Sequence, residues 1–468
     1  MNTREVDVVV VGAGITGLSV AWRLYEAGLS FVLLEKEGRL GGQIKTLHKN
    51  GYTCELGPNT STISFPEVCE LFDFIALYTT IQLANEQCKN RLIWKEGRYH
   101  PLPKGLFSGI RTPLFTLRDK IHLLGEPFYK RGTNPDESVG ALAERRLGKS
   151  FVDYAVDPFI GGIYAGNPYA LTTRFALPKL YALESKYGSF IRGAIKQSKK
   201  KKSIREARAT KEVFSAVGGL EAIINGIENK IKNGGSILKS ALVQSVQYTE
   251  DKNWEISYRI ASSSHIETIR SSHYVTTVRG DQLKEVLPRE IAKNLQYIES
   301  LQYAPVTEIA FGFDHFRGSE DRAFGLLVPS IEQRSVLGIL FPSDCFSGRV
   351  PYADSRLFTV FMEGVRGNSK FRQLDEDLLI KVAQKELYQM LKIDPGSSPS
   401  FVHVSRYPKA IPQYGIDSQK RIDCIEYLQE KYKGLYLGGA IKDGVGLAHR
   451  IKQGSDIGLS IARRIKKN

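Results

Sequence analysis

The chain has 468 residues, 42% hydrophobic and 25% charged, a balance that excludes fibrous, collagenous and wholly disordered classes. A core of that size needs no disulfide or metal staple, and two or three domains are expected. The formal net charge is +15, and much of the excess is local, which directs attention to anionic partners.

In chain order, MNTRE runs straight into the strand-like VDVVVVG, so no secretory signal is expected. The β-branched run Val6–Val11 reads as a parallel strand buried on both faces. A helix LSVAWRLYEAG ending at Gly28 follows, then a second strand, Phe31–Leu34, closing on Glu35. Residues 60–210 read as mainly helical, with Pro/Gly interruptions at PLPKG, TNPDES and NPYALT. Nine residues between Arg192 and Lys211 are Lys or Arg against Glu206 alone. That tract is either a solvated loop or a contact for an anionic membrane surface or acidic ligand. Nucleic acid is not expected as a partner, because KQSKKKKS lacks interleaved aromatics for base stacking.

Strand patterns begin near Val213 and include ILKSALVQSVQY, WEISYRI, HYVTTV, TEIAFGF and FTVFMEG. A helix is predicted near Glu376–Leu391, a last buried strand at GLYLG, then a C-terminal helix with the basic tail Arg463, Arg464, Lys466 and Lys467. The five cysteines are widely spaced and form no C-x-x-C pair, which favours a reducing, cytoplasmic setting. No apolar run approaches the roughly 18 residues of a spanning helix. None of the His residues stands in a metal-ligand pattern, so no metal is expected, and no side chain is assigned as an acid or base catalyst.

The segment Gly12-Ala13-Gly14-Ile15-Thr16-Gly17 stands where a dinucleotide fingerprint belongs, after a buried strand and at a helix start. Gly12 allows the tight turn, Gly14 lets backbone approach a pyrophosphate, and Gly17 lets helix and strand pack closely. The helix end offers free N–H groups to phosphates. Glu35 suits the two hydroxyls of an adenosine ribose and repels a 2′-phosphate, which disfavours NADP.

The following E-x-x-x-R-x-G-G segment, Glu35 to Gly42 with Gln43 next, resembles the FAD-binding amine-oxidase-like superfamily. So do Glu55-Leu56-Gly57-Pro58-Asn59-Thr60 and the distant Leu437-Gly438-Gly439-Ala440…Gly444-Val445-Gly446-Leu447. Asp157 to Pro168, FALPKLYALESKYGSFIRG, FSAVGGLEAII, FGLLVPS and LGILFPS narrow the likeness, over nearly the whole chain, to the protoporphyrinogen oxidase family. The resemblance implies a doubly wound α/β FAD-binding domain with an inserted α+β substrate domain and a helical region that could meet a membrane. It implies oxidation of protoporphyrinogen IX to protoporphyrin IX, with non-covalent FAD and with molecular oxygen as acceptor. It assigns FAD contacts to Gly12, Ala13, Gly14, Ile15, Thr16, Gly17, Glu35, Lys36, Gly42, Gln43, Gly57, Pro58, Asn59 and Thr60. Val243 falls on the adenine side, and Ala440, Val445, Gly446 and Leu447 on the flavin side. Arg91 matches a propionate-binding arginine and Gly162 a backbone carbonyl near the reacting carbon. Leu327, Leu340 and Phe361 match apolar residues around the macrocycle.

The expected organisation is an FAD-binding domain assembled from 1–85, 205–300 and 405–468. A mainly helical region, 86–204, and a substrate-binding domain, 301–404, are inserted. Coproporphyrinogen III remains open as the substrate, as do another amine-oxidase-like activity and a non-enzymatic binding protein on the same fold. A homodimer and a peripheral position on the inner face of the cell membrane also stay open.

Overall fold

A computed structural model describes residues 3–103, 106–232, 236–367 and 369–466, so Lys467 and the Lys104-Gly105 end of PLPKG lie outside the described residues. The run Val6–Val11 belongs to the strand Thr3–Val11, which pairs in parallel with Phe31–Leu34 on one side and Ile266–Thr276 on the other. Alternation sorts its side chains between two layers. Val8 and Val10 pack with the helices Ile15–Glu26, Glu221–Ile231 and Leu447–Ile465. Val9 and Val11 pack under Trp254, Ile256 and the helix Ser418–Lys431. Helices on one face and mixed cover on the other make this the expected doubly wound layer, a sheet six strands across with Leu435–Leu437 as a seventh strand beside Ile266–Thr276.

ILKSALVQSVQY, which alternates like one strand, divides in two. Ser236–Leu238 extends the parallel sheet beside Phe31–Leu34, while Ala241–Tyr248 starts an antiparallel meander with Trp254–Ile260 and Ile266–Thr276. Only Lys239 and Ser240 lie between, and Ser240 takes φ +54°, so the chain turns sharply and the meander curls over the sheet. The meander's third strand also begins earlier than HYVTTV alone suggests, because Ile266–Ser271 pair with Trp254–Arg259.

A second seven-stranded sheet runs in the order Phe401–Pro412, Tyr303–Phe313, Arg356–Glu363, Val336–Leu340, Gly325–Leu327, Arg91–Lys95, Arg98–Pro101. The predicted helix spans Glu376–Leu391, started by Asp375, whose side chain accepts from the Leu378 N–H at 2.8 Å. It covers one face of that sheet through Leu379, Ala383, Leu387 and Met390. Within 86–204, the hairpin Arg91–Pro101 joins this sheet and most of the rest is helical. Those helices are tied by Arg146, fully buried and paired with Glu126 at 3.1 Å and with Glu184. A guanidinium withdrawn this far from water is tolerated only because two carboxylates meet it.

Candidate functional site: a nucleotide cleft joined to an open sheet face

At the nucleotide motif, Gly12 has φ +96°, and a Cβ at Gly17 would stand 2.0 Å from the Gly12 carbonyl oxygen, so only glycine fits either place. At Gly14 the Cβ direction is open, with no atom within 4 Å. The Glu35 carboxylate is buried and accepts from the Ala13 N–H at 2.8 Å and from the Glu37 N–H at 3.0 Å, which leaves acceptor capacity on both oxygens. Gly41 donates to the Ala13 carbonyl at 2.8 Å and so sets Gly42 against Gly14, with Lys36 and Gln43 on the exposed side. The Ala241 N–H bonds the Glu35 carbonyl at 2.8 Å, at the start of the strand that carries the half-buried Val243.

The distant half of the motif is brought in by helix packing. A Cβ at Gly454 would stand 2.2 Å from the Thr16 carbonyl oxygen, and one at Gly458 would stand 2.6 Å from Arg23 Cβ. These two glycines let Leu447–Ile465 press directly on Ile15–Glu26. The two helices start at Gly14 and Gly446, and neither start has a capping side chain. Two bare helix N-termini therefore offer N–H groups and positive dipole ends to an acceptor. The buried Tyr414 hydroxyl, 2.8 Å from the Ala440 carbonyl and 3.1 Å from that of Gly444, fixes the loop leading to Val445, Gly446 and Leu447.

Between the halves runs Gly57-Pro58-Asn59-Thr60. Gly57 takes φ +112°, with Asn59 Nδ2 donating to its carbonyl at 2.9 Å. Asn59 Oδ1 is buried without a partner among the described residues, an acceptor that a ligand hydroxyl or N–H would satisfy. The open Cβ direction at Gly14, the ribose-type acid, two uncapped helix ends and this orphaned oxygen together fit FAD.

The proposed substrate residues fall on one face of the second sheet. Opposed residues on paired strands share a face, and the register sets out two neighbouring rows. One row holds Arg91, Gly325, Leu340, Thr359 and Ala310; the other holds Ile93, Leu327, Gly338, Phe361 and Glu308. Strands lie about 4.8 Å apart, so Arg91 and Leu340, two strands apart, are separated by roughly 10 Å. Their sequence neighbours Leu92, Leu326, Ile339, Val360 and Met362 face the covering helix and are fully buried, whereas Leu327, Leu340 and Phe361 are only half-buried. Gly162 sits over this face, because a Cβ there would stand 2.7 Å from Leu327 Cδ2. Its helix, Asp157–Tyr164, is anchored by Asp157, which accepts from the Ser330 N–H at 2.8 Å and pairs with Arg366.

Arg91 lies over the Phe324 ring at 5.5 Å and pairs with no carboxylate among the described residues. Arg91 is exposed to water, yet desolvation by the surrounding protein lowers its pKa.

Two residues escaped the sequence reading. Glu308 is buried beside Phe361 and accepts from the Gly57 N–H at 3.1 Å, which joins this face of the second sheet to the Gly57–Thr60 turn. Burial pushes its carboxyl up to about 8, against the hydrogen bonds of Gly57 and Asn59, and Glu55 adds to the rise. A lone acid within the apolar TEIAFGF strand was the available signal. Thr359, whose buried Oγ1 has no partner, carried none.

A model of flavin containing amine oxidoreductases matches residues 15–446. The chain belongs to this family. As a flavin-containing amine oxidoreductase it is an FAD-dependent oxidoreductase, in agreement with the cleft and with the resemblance read from its motifs. It is 28% identical to the mitochondrial protoporphyrinogen oxidase of Nicotiana tabacum, over 96% of this chain and 93% of that protein. It is 27% identical to the Homo sapiens protoporphyrinogen oxidase, over 97% of this chain and 98% of that protein. Among solved structures, a candidate protoporphyrinogen oxidase from Exiguobacterium sp. 255-15 superposes with a TM-score of 0.79 at 22% identity, covering 99% of this chain and all of the other. Reduced UDP-galactopyranose mutase superposes with a TM-score of 0.72 at 17% identity, over 99% of this chain and 96% of that one. Both share the fold.

Proposed function

We propose that the chain oxidises protoporphyrinogen IX to protoporphyrin IX. The observation that carries this reading is the half-buried apolar face of Leu327, Leu340 and Phe361, with the unpaired Arg91 guanidinium roughly 10 Å along it. A flat macrocycle bearing carboxylate arms has that chemistry. Arg91 holds one propionate through its planar fork. Leu327, Leu340 and Phe361 pack on the ring and keep water from it, and the Gly162 backbone lies above Leu327 with no side chain in the way. Glu308, held by burial in its neutral form near pH 7, adds no negative charge against the propionates.

FAD bound non-covalently would supply the two-electron acceptor, which oxygen would regenerate. The Gly12–Gly17 turn and the Ile15 helix end would take its pyrophosphate, Glu35 its ribose and Val243 its adenine side. Gly42, Gln43, Gly57–Thr60, Ala440 and Val445–Leu447 would surround the flavin. In domain terms, 1–85, 205–300 and the part of 405–468 beyond Pro412 would hold the cofactor, while 86–204, 301–404 and the strand Phe401–Pro412 would build the groove. The test is porphyrin fluorescence and oxygen uptake by the flavin-loaded protein with protoporphyrinogen IX and with coproporphyrinogen III. Faster turnover of the latter would transfer the assignment to it, and no porphyrin from either would overturn the reading.

Peripheral contact with an anionic membrane is part of the same proposal. Leu117, Ile121 and Leu124 stand on one exposed stripe of the helix Leu117–Gly125, next to Phe128, which is 82% exposed. Arg192 lies over the Phe128 ring at 5.8 Å, so this stripe adjoins the helix Phe190–Ser198 and the Lys199–Lys202 run that follows it. Among the described residues no helix is long and apolar enough to cross a membrane.

A further inference from the structure

Cys88 and Cys345 are far apart in sequence but buried in one small cluster with Phe346, near enough for each thiol to shift the other's pKa. The turns that carry them are stitched together. Asn85 donates its N–H to the Cys345 carbonyl at 2.9 Å and its Nδ2 to the Asp344 carbonyl at 2.9 Å, and the Cys88 thiol meets that same carbonyl at 2.8 Å. Both turns lead directly into the groove: Cys88 precedes Arg91 by one short step, and Cys345 closely follows Leu340.

We propose that Cys88 and Cys345 form a peroxide-sensitive dithiol at the foot of the groove, which closes to a disulfide when hydrogen peroxide reaches it. The neighbouring Cys345 lowers the Cys88 pKa, against burial and the Asp344 charge, and Arg322 and Arg356 act in the same direction as Cys345. Cys345 is pushed up by the same contact and by burial. In this scheme Cys88 attacks and Cys345 resolves. Cys88 gives up its proton and attacks one peroxide oxygen as thiolate; an S–O bond forms, the O–O bond breaks, and the departing hydroxide leaves as water with the Cys88 proton. The Cys345 sulfur then attacks the sulfenyl sulfur. The S–S bond forms, the S–O bond breaks, and the second oxygen leaves as water with the Cys345 proton. Two thiols are oxidised by two electrons and one peroxide is reduced to two waters. The internal control is Cys54, which is buried apart from this cluster and pushed up to about 12 by burial, an unreactive thiol.

The proposal rests on the oxidase reading only for the peroxide's origin, so added peroxide tests it independently. The flavin-loaded protein is treated with hydrogen peroxide, denatured, alkylated and mapped as peptides. The expected result is one cross-link joining the Cys88 and Cys345 peptides, about 2 Da lighter than the two thiols and reversed by dithiothreitol. In Cys345→Ala the cross-link is lost and Cys88 gains about 32 Da as sulfinic acid. Should that variant fail to fold, the native peptide map decides alone. Both thiols still alkylated after peroxide, or Cys88 over-oxidised in the native chain without a cross-link, overturns the proposal. A cross-link in a protein that turns over no porphyrinogen keeps the dithiol and discards the reading above.

Discussion

Arg91 offers a sharp single-residue test, because no carboxylate among the described residues neutralises it. Its propionate would be remote from the reacting carbon, so Arg91→Ala is expected to raise KM more than it lowers kcat, and Arg91→Lys to recover only part of the loss. Steady-state kinetics with unchanged KM in Arg91→Ala would make it a plain surface residue. Replacing Glu35 with Ala should weaken FAD binding by about 1.5–3 kcal/mol, read from flavin release on dilution. Glu308 contributes a pH dependence of known sign. Its carboxyl is raised from 4.5 to about 8, so the folded chain keeps a proton that the unfolded chain has lost. Stability from this group is therefore complete at acid pH and falls as pH rises across that interval. Thermal midpoints of native protein should fall between those pH values by more than those of Glu308→Gln; parallel curves would deny the group its shifted titration. Glu35 was legible because a dinucleotide motif places its acid at a fixed distance along the chain. Glu308 was not, because its environment comes from Gly57, some 250 residues away in sequence.

Among the elements, the contact between Ile15–Glu26 and Leu447–Ile465 carries most of the site, since it places two uncapped helix starts together. Gly454→Ala would force its Cβ onto the Thr16 carbonyl and push the second helix outward. A loss of about 1–3 kcal/mol in stability is expected, accompanied by easier flavin loss, because Gly446 and Leu447 move with their helix. Denaturant unfolding and flavin fluorescence on the same samples would check both effects; unaltered flavin retention would separate the helix contact from the site. The helix Glu376–Leu391 was readable from sequence because its periodic apolar face and its Asp375 cap agree. The division at Lys239-Ser240 was not, since alternation continues across it and only pairing with different strands distinguishes the two halves.

For the whole molecule, the exposed Leu117–Leu124 stripe and the Lys199–Lys202 run predict sedimentation with anionic vesicles at low salt. Each engaged basic residue contributes roughly 1 kcal/mol, and the attraction fades as the Debye length shrinks to about 3 Å at 1 M salt. Changing Lys199–Lys202 to Gln should weaken binding to anionic vesicles and leave turnover of soluble substrate unchanged; equal binding to neutral vesicles would refute the electrostatic part. By itself the sequence determined the cofactor and the chemistry of its cleft. Glycines that permit one backbone conformation and an acid at fixed spacing are local constraints, written in consecutive residues. Tertiary structure alone decided which side of the second sheet carries Arg91, Leu327, Leu340 and Phe361, and that Glu308 stands on that same side. Those facts depend on the register of strands distant in sequence, where a slip of one residue would turn every side chain to the opposite face.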